Sequence, residues 1–347
     1  MADILSLISR AELLEFSQNF PIVRPYLGDT LMPDMKTRNI MAEYLVQAAG
    51  TTLPVMATVH ALDTEAEIGS RPTLDKVEVK KFLIKRKINQ TESLQQYADY
   101  GSYSDDETIR YILNDMARMS ESVKTRTEVA KMEVLYSGKM TINENNINDE
   151  VDYHVPAENL AFTFNWSAAD ADVLGDIHKV VDSASDAGFY VTGILTSGKI
   201  SRYISTNKGV QTAIFGTAGV GVLPDRNRME ALFDQQFGFS NIMVNNEKYG
   251  IRRSDGVVES KRYYKDDKIT FLVQAPAGTV GVGLWGVTPE ETEYGQYNEK
   301  SQNQFITVTQ WATPDPVAVW TKTSGMFIPV LPNPKALFVA TVTLANP

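Results

Sequence analysis

The chain has 347 residues, 43% hydrophobic and 22% charged, which suits two folded lobes or one lobe with long extensions and excludes a disordered chain. Its net charge of −10 disfavours a protein that grips nucleic acid, because phosphate contacts need an excess of Lys and Arg. With no cysteine there are no disulfides, thiolate metal sites or cysteine nucleophile; Met1 to Arg10 lacks a signal peptide's basic start, and no apolar run reaches membrane-spanning length.

Residues 4–16 carry Ile4, Leu5, Leu7, Ile8, Leu13, Leu14 and Phe16 at helical spacings, with Ser9 and Glu12 placed as a capping box. Pro21, Pro25, Gly28 and Pro33 then forbid a long regular element. Such a start reads either as an arm that docks elsewhere or as a helix on its own core. Residues 51–62 and 76–88 read as two long strands joined through a polar tip, Asp63 to Asp75. The second strand gathers Lys76, Lys80, Lys81, Lys85, Arg86 and Lys87 in an acidic protein. That run fits a solvated strand face, a ribbon lying on an acidic neighbour, or a nucleic-acid ribbon. The last is weakened because Phe82 is its only aromatic residue.

Residues 105–137 predict one uninterrupted helix. Ser104 and Glu107 fit a capping box, Asp105 and Asp106 suit the positive end of the helix dipole, and Gly138 fits the stop. Ile109, Ile112, Leu113, Met116, Val123, Ala130 and Val134 follow one face. Short strands around an acidic, Asn-rich turn (143–152) are expected next, within 139–164. Helices follow at 172–187 and 225–237, ended by Gly188 and Gly238, with strands at 189–195 and 242–244. Six strands close the chain: 269–274, 279–286, 305–311, 317–322, 326–331 and 337–344. Helices and strands are mixed without regular alternation, the pattern of an α+β fold.

The search for chemistry is negative. His60, His154 and His178 fall in different elements and none has a metal-type partner four residues on. Gly281 to Gly286 matches G-x-G-x-x-G, yet no amphipathic helix follows it, and Gly216 to Gly221 lacks the Lys-Ser/Thr of a phosphate loop. Both clusters read as tight turns or close backbone packing. Acidic pairs such as Asp105/Asp106, Asp149/Glu150 and Glu290/Glu291 are too common among 43 carboxylates for any to stand out. No catalytic residue, cofactor or metal is expected.

Three stretches carry a resemblance. They are Lys76 to Ser93 with its Lys85-Arg86-Lys87-Ile88-Asn89, Glu128 to Ile142 running through Gly138-Lys139 into a Thr-containing strand, and Ser324 to Val342 around Leu331-Pro332-Asn333-Pro334. Taken in order they resemble the Hong Kong 97 capsid fold, and within it the lambda-type major head protein family of tailed phages, whose members more often carry Asp-Pro at the last turn. The resemblance implies an N-terminal arm (1–48), an extended hairpin (49–95), a peripheral domain with the spine helix 105–137 (96–190), an axial domain (191–295) and return strands of the peripheral domain (296–347). It implies a structural protein, not an enzyme, that self-assembles as hexamers and pentamers into an icosahedral phage or prophage shell. Scaffold and portal proteins, and a decoration protein, would be its partners, and assembly would occur in the host cytoplasm. No membrane or sequence-specific nucleic acid is implied. Lys80, Lys81, Lys85 and Arg86 would then meet carboxylates of a neighbouring subunit, Asp105, Asp106 and Glu107 among them. The alternatives are a cellular nanocompartment shell of the same fold and a nucleotide-binding enzyme using Gly281 to Gly286.

Overall fold

A computed structural model describes residues 24–39, 41–49, 73–90, 105–168, 171–253, 255–274, 280–291, 299–303, 305–314 and 317–344. The expected helix at 4–16, the strand at 51–62 and the cap at Ser104 lie outside these residues. In chain order the elements are α1 (Leu27–Leu31), β1 (Asp34–Lys36), β2 (Met41–Ala49), β3 (Thr73–Lys80), β4 (Phe82–Gln90), α2 (Asp105–Ser137), β5 (Lys139–Glu144), β6 (Ile147–Asp152), α3 (Ala157–Leu160), β7 (Phe162–Trp166) and α4 (Val173–Asp186). There follow β8 (Val191–Ser197), α5 (Gly198–Thr206), α6 (Lys208–Phe215), α7 (Arg226–Phe237), β9 (Asn241–Asn245), β10 (Lys248–Arg252), β11 (Val258–Arg262), β12 (Lys268–Val273), β13 (Val282–Gly286), β14 (Glu299–Asn303), β15 (Ile306–Pro314), β16 (Val317–Val330) and β17 (Phe338–Leu344). They fall into two compact units, one of residues 1–42, 78–130 and 283–330, the other of 43–77, 131–282 and 331–347.

The helix expected at 105–137 is present between those residues, roughly 50 Å long at about 1.5 Å per residue. Gly138 ends it at φ 68°, donating its N–H to the Val134 carbonyl; a side chain there would be strained and would meet Val155. Met116, Val123, Ala130 and Val134 are buried as expected, while the side chains of Ile109, Ile112 and Leu113 lie outside the described ones. The sequence did not announce the polar residues buried beside them. In the first unit Lys124 reaches Asp34 at 2.6 Å and Asp29 at 3.6 Å, with its ammonium 5.1 Å from the Trp285 ring centroid. One turn on, both Glu128 carboxylate oxygens accept the Gly28 N–H, at 3.0 and 3.1 Å, at the start of α1. Charge therefore ties α1 and β1 to α2.

The first unit's sheet has the order β1-β13-β16-β15-β14, with β4 also paired to β16. β16 is a single strand of 14 residues, where two strands, 317–322 and 326–331, were expected. Gly325 suggested the break, but it serves close packing instead: a Cβ there would stand 2.8 Å from the Trp285 ring and 3.1 Å from Val123.

The second unit is a mixed sheet, β7-β17-β12-β8-β9, with β7 parallel to β17 and β8 parallel to β9. Its apolar core joins Ile177, Val180 and Ala184 of α4 and Phe233 and Phe237 of α7 to Ile194, Ile269, Phe271 and Phe338 of the sheet. The helices expected at 172–187 and 225–237 each begin one residue later, because Asp172 and Asp225 act as N-caps, accepting from Gly175 N and Arg228 N. Two further helices have no counterpart in the sequence pattern. Ser197 caps α5 and Asn207 caps α6, and Ile200, Ile204 and Val210 face the core. At nine and eight residues they are too short for the period to stand out, and α5 is also rich in Ser and Thr. The polar hairpin β10–β11 and the edge strand β14 were likewise not anticipated. The Asn-rich turn is Asn145-Asn146, both at positive φ (52° and 64°), joining β5 to β6.

Candidate functional site

The basic return strand is two strands. β3 pairs with β2, β4 pairs antiparallel with β16, and Lys81 marks the change of partner. Alternation along β4 sorts its cations by face. Lys85 and Lys87 stand opposite Ser324 and Lys322, which in turn oppose Thr307 and Thr309 of β15, so these six share one face. Arg86, opposite Thr323, belongs to the other.

Glu290 anchors the first face. It is 2% exposed, yet it is paired with Lys322, lies 3.2 Å from Lys85 Nζ and accepts the Ser324 hydroxyl at 3.0 Å. Burial alone would raise its pKa; the hydrogen bonds from Lys322, its own backbone, Ser324 and Lys85 outweigh burial and hold it at about 2. Glu291 beside it pairs with Lys36 at 2.7 Å, and Thr288 shares a 2.9 Å hydrogen bond with Thr307. Thr288 to Glu291 thus form a strap across this face of the sheet. This acidic pair was one of many in the sequence; only the tertiary fold, which brings Lys85 and Lys322 to it, distinguishes it.

Among the residues anticipated at a subunit contact, Lys81 is 2% exposed and turned inward. Its ammonium donates to Thr37 Oγ1 at 2.5 Å and to the Asn39 carbonyl, and burial lowers its pKa. Lys80 and Arg86 are exposed, and neither has an ion-pair partner among the described residues. Lys85 is half-committed, bridging Glu290 with its side chain still 41% exposed. Asp105, Asp106 and Glu107 occupy the first turn of α2, and their side chains lie outside the described ones.

The glycine clusters have structural roles. Gly281 to Gly286 runs into β13, where a Cβ on Gly286 would meet Met326 Sδ at 2.9 Å and Lys81 Cδ at 3.0 Å. Gly216 and Gly221 turn the chain at φ 76° and 98°. Among the described residues no group of three His, Asp or Glu side chains could hold a metal, and no helix is long and apolar enough to cross a membrane. His154 is exposed beside Asp152, and His178 packs its ring 4.6 Å from that of Phe237; His60 lies outside the described residues.

The sequence model of the phage major capsid protein E family matches residues 9–342. No curated protein matches the sequence. Solved structures do. The protein assigned as the capsid protein of an Escherichia coli CFT073 prophage superposes with a TM-score of 0.61 at 15% identity, over 97% of this chain and 99% of that one. The cyanophage A-1(L) capsid protein gives 0.52 at 9% identity over 94% of each chain, and a phage-related protein from Bordetella bronchiseptica RB50 gives 0.50 at 10% over 96% of each. At these identities the structures establish the fold, a mixed α+β Hong Kong 97-type capsid fold, and the family match establishes membership. This chain belongs to the phage major capsid protein E family and is a structural protein of the capsid shell.

Proposed function

We propose that copies of this chain assemble as hexamers and pentamers into an icosahedral head around phage or prophage DNA, in the host cytoplasm, with a scaffold and a portal protein and, as in lambda-like shells, a decoration protein. The observation that carries this reading is the family match over residues 9–342. In this reading the axial domain takes the five-stranded sheet. The expected limits of 191–295 take in β8, β9 and β12 of that sheet, while its strands β7 and β17 lie outside them.

The subunit contact falls on Lys80 and Arg86, exposed cations on the return strand, with Lys85 contributing its uncommitted half. Their partners are Asp105, Asp106 and Glu107 of a neighbouring copy, since complementary charge sets register and on-rate. Lys81 takes no part, being held inside its own chain. Expression with the neighbouring genes followed by negative-stain microscopy tests the shell; dispersed monomers alone would reject it. Combining Lys80→Glu with Arg86→Glu should abolish particles and leave the melting temperature unchanged. Normal particles from that double variant discard the contact and spare the shell.

A further inference from the structure

We propose that the Trp311–Trp320–Lys87 face of the first unit's sheet receives the tip of the β5–β6 hairpin of a second copy of this chain. Trp311 and Trp320 stand directly opposite across the β15–β16 pair, rings 6.3 Å apart and within 13° of parallel. Lys87, on the next strand, holds its ammonium 4.6 Å from the centre of the Trp320 ring. Lys85, Lys87, Lys322 and Trp311 border a groove of about 450 Å³. On this face Lys85 and Lys322 meet Glu290, and Lys87 makes no ion pair among the described residues. A tryptophan pair edged by the ammonium of Lys87 calls for an occupant with an apolar tip beside a carboxylate.

The β5–β6 hairpin has that composition. Ile147, the first residue after the Asn145-Asn146 turn, is 56% exposed. Glu144 lies directly across from it, and Asp149 follows two residues on, so all three share one face and all are exposed. Asp149 has no ion-pair partner among the described residues. Six paired positions and a two-residue turn hold the tip rigid, so docking loses little conformational entropy. Ile147 would cover the tryptophans while Asp149 meets Lys87. A single-stranded nucleic acid would also suit aromatic rings and lysines, but Glu290, paired with Lys85 and Lys322, and the chain's net charge of −10 oppose it.

This docking rests on the shell reading only in needing two copies to meet. Because the chain has no cysteine, single ones can be placed freely. Lys87→Cys and Asp149→Cys proteins, each checked by its melting curve, are mixed at high concentration with a short bismaleimide. Trp311→Cys replaces the first if its fold is perturbed. The expected result is a mixed cross-linked pair several-fold more abundant than either self-pair, and lost when Trp320→Ala is added to the Lys87→Cys chain. Cross-linking of the mixture no stronger than of each protein alone overturns the docking, as does Trp320-dependent oligonucleotide binding without the mixed pair. Particles without the cross-link reject the docking and keep the shell, whereas the cross-link without particles does the reverse.

Discussion

The two units weight apolar and ionic burial differently, although the second also buries Lys131 at 0% exposure. The second buries an apolar core, with Ile177, Val180, Phe233, Phe271 and Phe338 all at 1% exposure or less, and caps its helices with local side chains. The first buries ions alongside Trp285 and Phe327: Lys81, Lys124, Glu128 and Glu290 are each at most 3% exposed. An apolar core is indifferent to pH and reads out in periodicity. A charge-tied interior depends on partners far apart in sequence and on every partner keeping its charge.

That contrast can be broken at four places, in falling order of effect. Phe233→Ala should cost roughly 3–5 kcal/mol in denaturant unfolding, the ordinary loss for emptying an apolar core, with little dependence on pH. Glu290→Gln should cost roughly 2–3 kcal/mol near neutral pH by removing the carboxylate charge that Lys322 and Lys85 share. Its signature is the pH profile. The folded-state pKa of about 2 lies below the ordinary 4.5, so this group's stabilisation, roughly 3 kcal/mol, is complete above about pH 4.5 and disappears as the pH falls toward 2. Wild type and variant should therefore converge in acid; a constant gap between their stabilities across that range would refute the assignment. Gly325→Ala forces a methyl against Trp285 and Val123 and should cost about 1–3 kcal/mol, seen as a lower melting temperature. The smallest effect belongs to Lys81→Met. It trades a desolvated ammonium for a thioether of similar reach and should change stability by no more than about 1 kcal/mol, in the stabilising direction.

The same contrast explains what the sequence could show. Helix α2 is legible end to end, because an unbroken periodic run meets Gly138, which the fold requires at positive φ. α4 and α7 are legible through Asp172, Asp225, Gly188 and Gly238, all local signals. α5 and α6 are not, since their caps Ser197 and Asn207 precede helices of only nine and eight residues. In the charge cluster half the information was present. The basic strand stood out at once, but Lys81 looks like its neighbours until the fold buries it against Thr37. Glu290 likewise becomes special only when β4 and β16 bring Lys85 and Lys322 to it. Long-range pairing leaves no local trace.

Strand order also has a consequence for timing. In the first unit's sheet β16 lies between β15 and both β4 and β13, and in the second β17 lies between β7 and β12. Each sheet therefore waits for a late stretch of chain, residues 317–344, before its earlier strands have their neighbours. Such non-local pairing is slow. Competence to assemble should thus require residues 317–344, so that copies lacking them stay out of a growing shell.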